Sequence, residues 1–142
     1  MERVLITGGL GFIGKSIVNS LMNSGYTITL LDSLEPSRHG NNRNFTIFEE
    51  WLGKVNVVIG SVTNKTLFFN LLNNTDIVIH LASQVSVPAS EKYSEYYCNH
   101  NVIGTANLRD YIKDHNNVKK LFSLLLGLFM ARDCIGAQII VQ

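Results

Sequence analysis

The sequence predicts an α/β fold: a doubly wound parallel sheet of about five strands with helices on both faces. Two patterns point to it. Short β-branched and aliphatic runs (RVLIT, TITLLD, VNVVIG, DIVIHLA and VKKLF) recur along the chain. Segments with apolar residues at helical spacing lie between them. Strands joined through helices lie parallel, and right-handed crossovers bring their C-terminal ends to one edge of the sheet. Binding residues are expected along that edge.

RVLIT, Arg3 to Thr7, is stopped by glycines and reads as a strand buried on both faces. From Phe12, apolar residues recur as Ile13, Ile17, Leu21 and Met22, and Gly25 closes that helix. TITLLD, Thr27 to Asp32, is the second strand. The polar stretch SLEPSRHGNNRN follows as a loop punctuated by Pro36 and Gly40. NFTIFEEWLG is a candidate short helix and VNVVIG the third strand. Asn64 is placed to cap a helix through Leu67, Phe68, Leu71 and Leu72. DIVIHLA is the fourth strand, SEYYCNHNVIGTANLRDYIKDH a long helix despite Gly104, and VKKLF opens a fifth strand.

At 142 residues the chain suits one domain with a real core. With 46% hydrophobic and 16% charged residues it does not read as disordered. Its 12 basic and 11 acidic residues leave a net charge of +1, which gives no field for nucleic acid or an anionic membrane. Cys98 and Cys134 have neither metal-ligand spacing nor a disulfide framework, so a reduced, cytoplasmic compartment is expected. MERVLITGG lacks the pattern of a signal peptide. The apolar stretch LFSLLLGLFMA falls short of the ~20 residues of a membrane span. No internal repeat or second-domain linker is visible.

The strongest chemical signal is TGGLGFIG, with Gly8, Gly11 and Gly14 between a strand and a helix. The first glycine permits a tight turn, the second lets a pyrophosphate approach the backbone, and the third lets helix and strand pack closely. Free N–H groups at the helix N-terminus then bind phosphate. The bland alternative is an ordinary glycine-rich turn. Asp32 ends the second strand about twenty residues further on, where a carboxylate accepts both ribose hydroxyls of an adenosine. It also repels a 2′-phosphate, which favours NAD over NADP, although Arg38 and Lys15 soften the repulsion.

TGGLGFIG, LLDSLEPSRHG, IHLASQVSV and NVIGTANL stand in order over roughly Glu2 to Lys120. Together they resemble the extended short-chain dehydrogenase/reductase superfamily, in its NAD-dependent epimerase/dehydratase branch, with a Rossmann-type domain. The resemblance implies that Phe12 and Ile13 meet the dinucleotide through backbone N–H groups. Asp32 and Ser33 would hold the adenosine ribose. Ser61 and Val62 match the family's Asp-hydrophobic pair beside the adenine, and Ser61 departs from it by offering no carboxylate. Leu81, Ala82 and Ser83 would line the cofactor beyond the fourth strand. Asn101 matches the Asn of the NVxGT motif, which supports the site from its helix. Nucleotide sugars are the implied substrates of full-length relatives, which are often homodimers. LLDSLEPSRHG leans toward epimerases acting on nucleotide-linked deoxysugars.

Other residues favour plain readings. His80 closes a buried strand and packs there; His39, His100 and His115 lack metal-like spacing. Tyr96 and Tyr97 read as packing, and Val87, Pro88 and Ser90 as a solvated loop rather than the border of a sugar site.

The family's chemistry needs a tyrosine with a lysine four residues later, plus a Ser or Thr after the fifth strand. The lysine favours the phenolate of a group whose ordinary pKa is about 10. No tyrosine of this chain has that lysine. Where relatives read like VKKLVFSSS and then VYG, this sequence gives VKKLFSLLLGLFM. The genetic code offers a reason. Start each codon on the third base of the one before, and Met130 with Ala131 forces glycine. Phe129 with Met130 then allows only Tyr or His before it, and Leu128 with Phe129 only Val, Ile, Leu or Phe before that. Synonymous choices restore VKKLVFSSSWAVYG. Residues 1–122 therefore read as the N-terminal, dinucleotide-binding part of an epimerase (an isomerase) or dehydratase (a lyase). Residues 123–142 read as an apolar tail out of frame after about Leu121; a genuine apolar strand is the competing reading. Such a chain keeps the cofactor site and is an incomplete domain without catalysis. The alternative function is a non-catalytic dinucleotide sensor or scaffold on the same fold.

Overall fold

A computed structural model of the chain describes residues 1–35, 51–128 and 135–141. The predicted loop and helix across residues 36–50, with Pro36, Arg38, His39 and Gly40, lie outside the described residues, as does Cys134.

Among the described residues six strands form one sheet. In chain order the elements are β1 (Arg3–Thr7), α1 (Phe12–Leu21), β2 (Thr27–Asp32), β3 (Val55–Ile59), α2 (Lys65–Leu72) and β4 (Ile77–His80). After them come α3 (Val87–Lys92), α4 (Ser94–Cys98), a π turn (Asn99–Ile103), α5 (Gly104–Asp114), β5 (Lys120–Leu128) and β6 (Ile135–Val141). The spatial order is β3-β2-β1-β4-β5-β6. The five expected strands are all parallel, and β6 adds antiparallel to β5, with Phe122 opposite Val141 and Leu128 opposite Ile135. That sixth strand has no counterpart in the sequence-based expectation. Strand order reverses between β1 and β4, so their C-terminal ends diverge into a crevice, the usual ligand position in such sheets.

Alternation along the central strands feeds two cores. Val4, Ile6, Ile28 and Leu30 face α1, where Val18 and the indole of Trp51 cover them. Leu5, Leu31 and Val78 face α2 and α5, where Phe68, Leu72, Leu108 and Tyr111 close the other side. Each such fully buried side chain stabilises the fold by about 1.5–3 kcal/mol relative to exposure. The sheet is therefore covered on both faces, as the near-continuous apolar runs require.

Polar contacts fix the ends of these elements. Asn64 caps α2 by accepting from the Leu67 N–H at 3.1 Å. Beneath the sheet, Asp76 accepts from the Arg3 backbone and Nε at 3.0 and 2.9 Å, with Lys119 Nζ at 3.3 Å, so one carboxylate joins the starts of three strands. The Arg3 guanidinium holds that carboxyl well below the usual carboxylate range.

The predicted long helix is a helical run interrupted by the π turn. Gly104 sits in it for a packing reason: a Cβ there would lie 2.5 Å from Val62 Cγ2. The stretch read as a solvated loop around Pro88 is instead the short helix α3. Pro88 stands in its first turn, where a missing N–H costs nothing, and Ser90 is buried.

Candidate functional site

β1 ends in a turn that only glycines allow. Gly8 has φ 68° and lies against the backbone of Leu81 and Ala82, where a Cβ would come within 3.0 Å of Ala82 N. A Cβ on Gly14 would sit 2.5 Å from Gly9 O and 2.6 Å from Gly8 O, so α1 can start this close to β1 only through glycine. Gly11 is the N-cap and has no side chain to cap the first turn. The N–H groups of Phe12, Ile13 and Gly14 have no acceptor within the helix, and all three residues line the cleft above the turn. Phe12 is 95% exposed, so what it offers the cleft is its backbone rather than core packing.

The cleft has a volume of about 480 Å³ and lies at the β1/β4 crevice. Its walls take in Gly8, Gly11, Phe12, Ile13 and Gly14 from the turn, and Asp32 and Ser33 from the end of β2. Ser61 and Val62 follow β3, and Leu81, Ala82 and Ser83 follow β4. Twelve of the thirteen residues expected at a dinucleotide site thus meet in one cavity. Asp32 is buried, and its oxygens accept from the N–H groups of Leu10 at 3.0 Å and Leu34 at 2.9 Å. These backbone bonds fix the carboxylate in place at the end of β2. Ser61 turns its hydroxyl to Thr63, 2.8 Å away. The segment is pinned from behind by Asn107 of the NVIGTANL stretch, which donates to Val62 O at 3.0 Å.

Asn101 stands apart from the cavity wall. Its side chain accepts from Gln84 N at 2.7 Å and donates to Gln84 O at 2.9 Å. This two-point clamp holds the loop that follows β4. The π turn carries Asn101 out of ordinary helical register, a distortion common at functional sites.

His80 packs as expected and does more. Thr7 Oγ1 accepts from the N–H groups of Leu81 and Ala82, both at 3.2 Å, so its proton goes to His80 Nδ1 at 2.8 Å. The ring is then protonated on Nε2, which faces Thr105 Oγ1 at 3.4 Å; that hydroxyl donates to Asn101 O at 2.7 Å. Burial pushes the imidazole pKa down to about 4, so the ring is a neutral strut joining β1, β4 and the π turn.

Several wall residues carried no expectation of their place here, two of them with titratable side chains far apart in sequence. Glu35 and His100 both line the cleft, from the loop after β2 and from the π turn. No local pattern marks either one, because their placement depends on contacts between distant segments. Lys15 also lines the cavity; Arg38 lies outside the described residues. Among the described residues no cluster of three His, Cys, Asp or Glu side chains could hold a metal ion, and no helix is long and apolar enough to cross a membrane.

The capless glycine turn, the fixed carboxylate at the end of β2 and a cleft of this size suit a dinucleotide. Comparison with known proteins agrees. Residues 4–125 match the model of the NAD dependent epimerase/dehydratase family. The bifunctional UDP-glucose 4-epimerase and UDP-xylose 4-epimerase 1 of Pisum sativum is 31% identical, over 86% of this chain and 36% of its own length. The dTDP-L-rhamnose 4-epimerase of Burkholderia thailandensis is also 31% identical, over 80% of this chain and 31% of its own. UDP-glucose 4-epimerase from Bifidobacterium longum, solved with NAD+ and UDP, superposes with a TM-score of 0.70 at 29% identity, covering 85% of this chain and 36% of that one. The chain thus spans about a third of the length of the relatives it matches. A family match across most of its residues identifies it: the chain belongs to the NAD-dependent epimerase/dehydratase family.

Proposed function

We propose that this chain binds NAD in the cleft between β1 and β4, as the cofactor-binding portion of a nucleotide-sugar epimerase/dehydratase-like protein, and that it does not catalyse on its own. The observation that carries the reading is the glycine turn at the uncapped start of α1, set in one cavity with the buried Asp32. The first-turn N–H groups would hold the pyrophosphate, with Phe12 and Ile13 foremost. Asp32 and Ser33 would take the adenosine ribose. Ser61 and Val62 would stand beside the adenine, and Leu81, Ala82 and Ser83 along the remainder of the cofactor. Asn101 acts through Gln84, keeping the loop after β4 in place. Bound NAD supplies a hydride acceptor for oxidation of a sugar carbinol, but the chain has no Tyr-x-x-x-Lys pair to remove the carbinol proton.

Thermal unfolding with and without NAD tests the binding. NAD at a hundred times its Kd should add about 2.7 kcal/mol of stability. Incubation with UDP-linked and dTDP-linked hexoses should give no epimer and no elimination product. No stabilisation would refute the cofactor site, and turnover would refute the lack of catalysis.

We further assign residues 1–122 to the cofactor-binding module and 123–142 to a segment out of frame. The support is the restored VKKLVFSSSWAVYG reading, which depends on the codons encoding Leu121 to Ala131. Sequencing genomic DNA and transcript across Val118 to Met130 decides it. An extra base near the Leu121 codon supports the slip, and its absence makes the apolar strand genuine.

A further inference from the structure

Ser61 lies in the cleft wall just beyond β3, on a stretch of backbone tied down on both sides. β3 runs parallel to β2 with Ile59 opposite Asp32, and the Gly60 N–H donates to Asp32 O at 2.9 Å. Ser61 is the next residue along. Its own carbonyl accepts from the Asn64 N–H at 3.0 Å, in the turn that leads into α2. Val62 is buried against Gly104, and its carbonyl accepts from Asn107 Nδ2 at 3.0 Å.

The side chain is held as well. Ser61 Oγ accepts from the Thr63 N–H at 3.2 Å and lies 2.8 Å from Thr63 Oγ1, a contact in which either hydroxyl can be the donor. A hydroxyl carries one proton and two lone pairs. With one lone pair of Ser61 on the Thr63 N–H, two arrangements remain. If Ser61 donates to Thr63, its second lone pair is open to a ligand N–H. If Thr63 donates to Ser61, both lone pairs are taken and the Ser61 proton is open to a ligand carbonyl. Rotation of two hydroxyls converts one arrangement into the other, and no heavy atom has to move.

The order of the sheet decides which part of a dinucleotide meets this pair. Phosphate belongs at the start of α1 above β1, and ribose at Asp32 on the end of β2. The base carried by that ribose then continues outward to the end of β3, the next strand in the sheet. At its far side from the ribose a purine presents the substituent on C6. In adenine this is an amino group, which donates; in hypoxanthine it is a carbonyl, which accepts.

We propose that the Ser61–Thr63 hydroxyl pair meets the purine C6 substituent in either polarity, so that the cleft takes a 6-oxopurine dinucleotide as readily as NAD. This rests on the dinucleotide reading of the cleft. Strong discrimination between an amino group and a carbonyl needs a partner that can only accept or only donate, since the wrong ligand then leaves a buried polar group unpaired. A serine backed by a second hydroxyl is neither.

Calorimetric titration of NAD and of nicotinamide hypoxanthine dinucleotide into the full chain and its Ser61→Asp variant tests this. For the parent chain the two Kd values should agree within about threefold, because the pair serves both groups. A carboxylate can only accept, so in Ser61→Asp the hypoxanthine dinucleotide should lose about tenfold or more relative to NAD. Ser61→Asn, whose amide both donates and accepts, should bring the ratio back toward that of the parent. A clear preference of the parent chain for NAD, or an unchanged ratio in Ser61→Asp, would overturn the role of Ser61 and leave the cofactor site standing. A parent chain that binds neither dinucleotide would overturn the cofactor site, and this proposal with it.

Discussion

β1 and β5 are both inner strands of one sheet, the first between β2 and β4, the second between β4 and β6. From Val4 to Thr7 every residue of β1 is buried, and the Thr7 side chain serves three hydrogen bonds. On β5, Phe122 is 40% exposed, and the hydroxyl of Ser123, although the residue is only 6% exposed, has no partner among the described residues. His80 stands in register between Thr7 and Ser123. Both of its nitrogens are engaged, by Thr7 and Thr105, which leaves nothing for Ser123. The polar network at the edge of the sheet closes on the β1 side and breaks off at β5. The cleft follows the same division: among the described residues β5 contributes Leu124 to its wall, and the remainder comes from the turn after β1, the start of α1, the end of β2 and the loop after it, the loops after β3 and β4, and the π turn.

The contrast can be broken most forcefully on the β1 side. Gly14→Val puts a branched side chain where even a Cβ meets two backbone oxygens within 2.6 Å. It should cost about 3 kcal/mol in urea unfolding and abolish stabilisation by NAD. His80 comes next. Its folded pKa of about 4 lies below the ordinary value near 6.5, so between those values the unfolded chain binds the extra proton. Stability from this residue is complete above pH 6.5 and falls as pH drops toward 4, by roughly 3 kcal/mol over the window. Denaturant titrations at several pH values should show that slope, and His80→Asn should flatten it. Smallest is Ser123→Ala, which removes an unpaired buried hydroxyl. It should be neutral or stabilise by up to about 1 kcal/mol, and a loss larger than that would reveal a partner for Ser123.

Much of this was legible in the sequence where structure is local. β1, β2 and β3 follow from apolar runs ended by glycines or Asp32, and Asn64 announces its own cap. Asp32 stands out because spacing from the glycine turn is fixed by one βαβ unit. What escaped is non-local or a departure from regular geometry. Glu35 and His100 come to one cleft from segments far apart in sequence. The π turn leaves no periodic trace, since one displaced register inside a helical run looks like noise. Pro88 reads as loop punctuation until it is seen in the first turn of a helix. β6 was unreadable for another reason: IGAQIIV is apolar enough for a strand, but nothing in it states the direction of pairing.

The most direct test of the account is a calorimetric titration of NAD into the purified chain, checked beforehand for a cooperative melt. The account predicts saturable binding of one NAD per chain, lost in Gly14→Val. A cooperatively folded chain that takes up no NAD would contradict it.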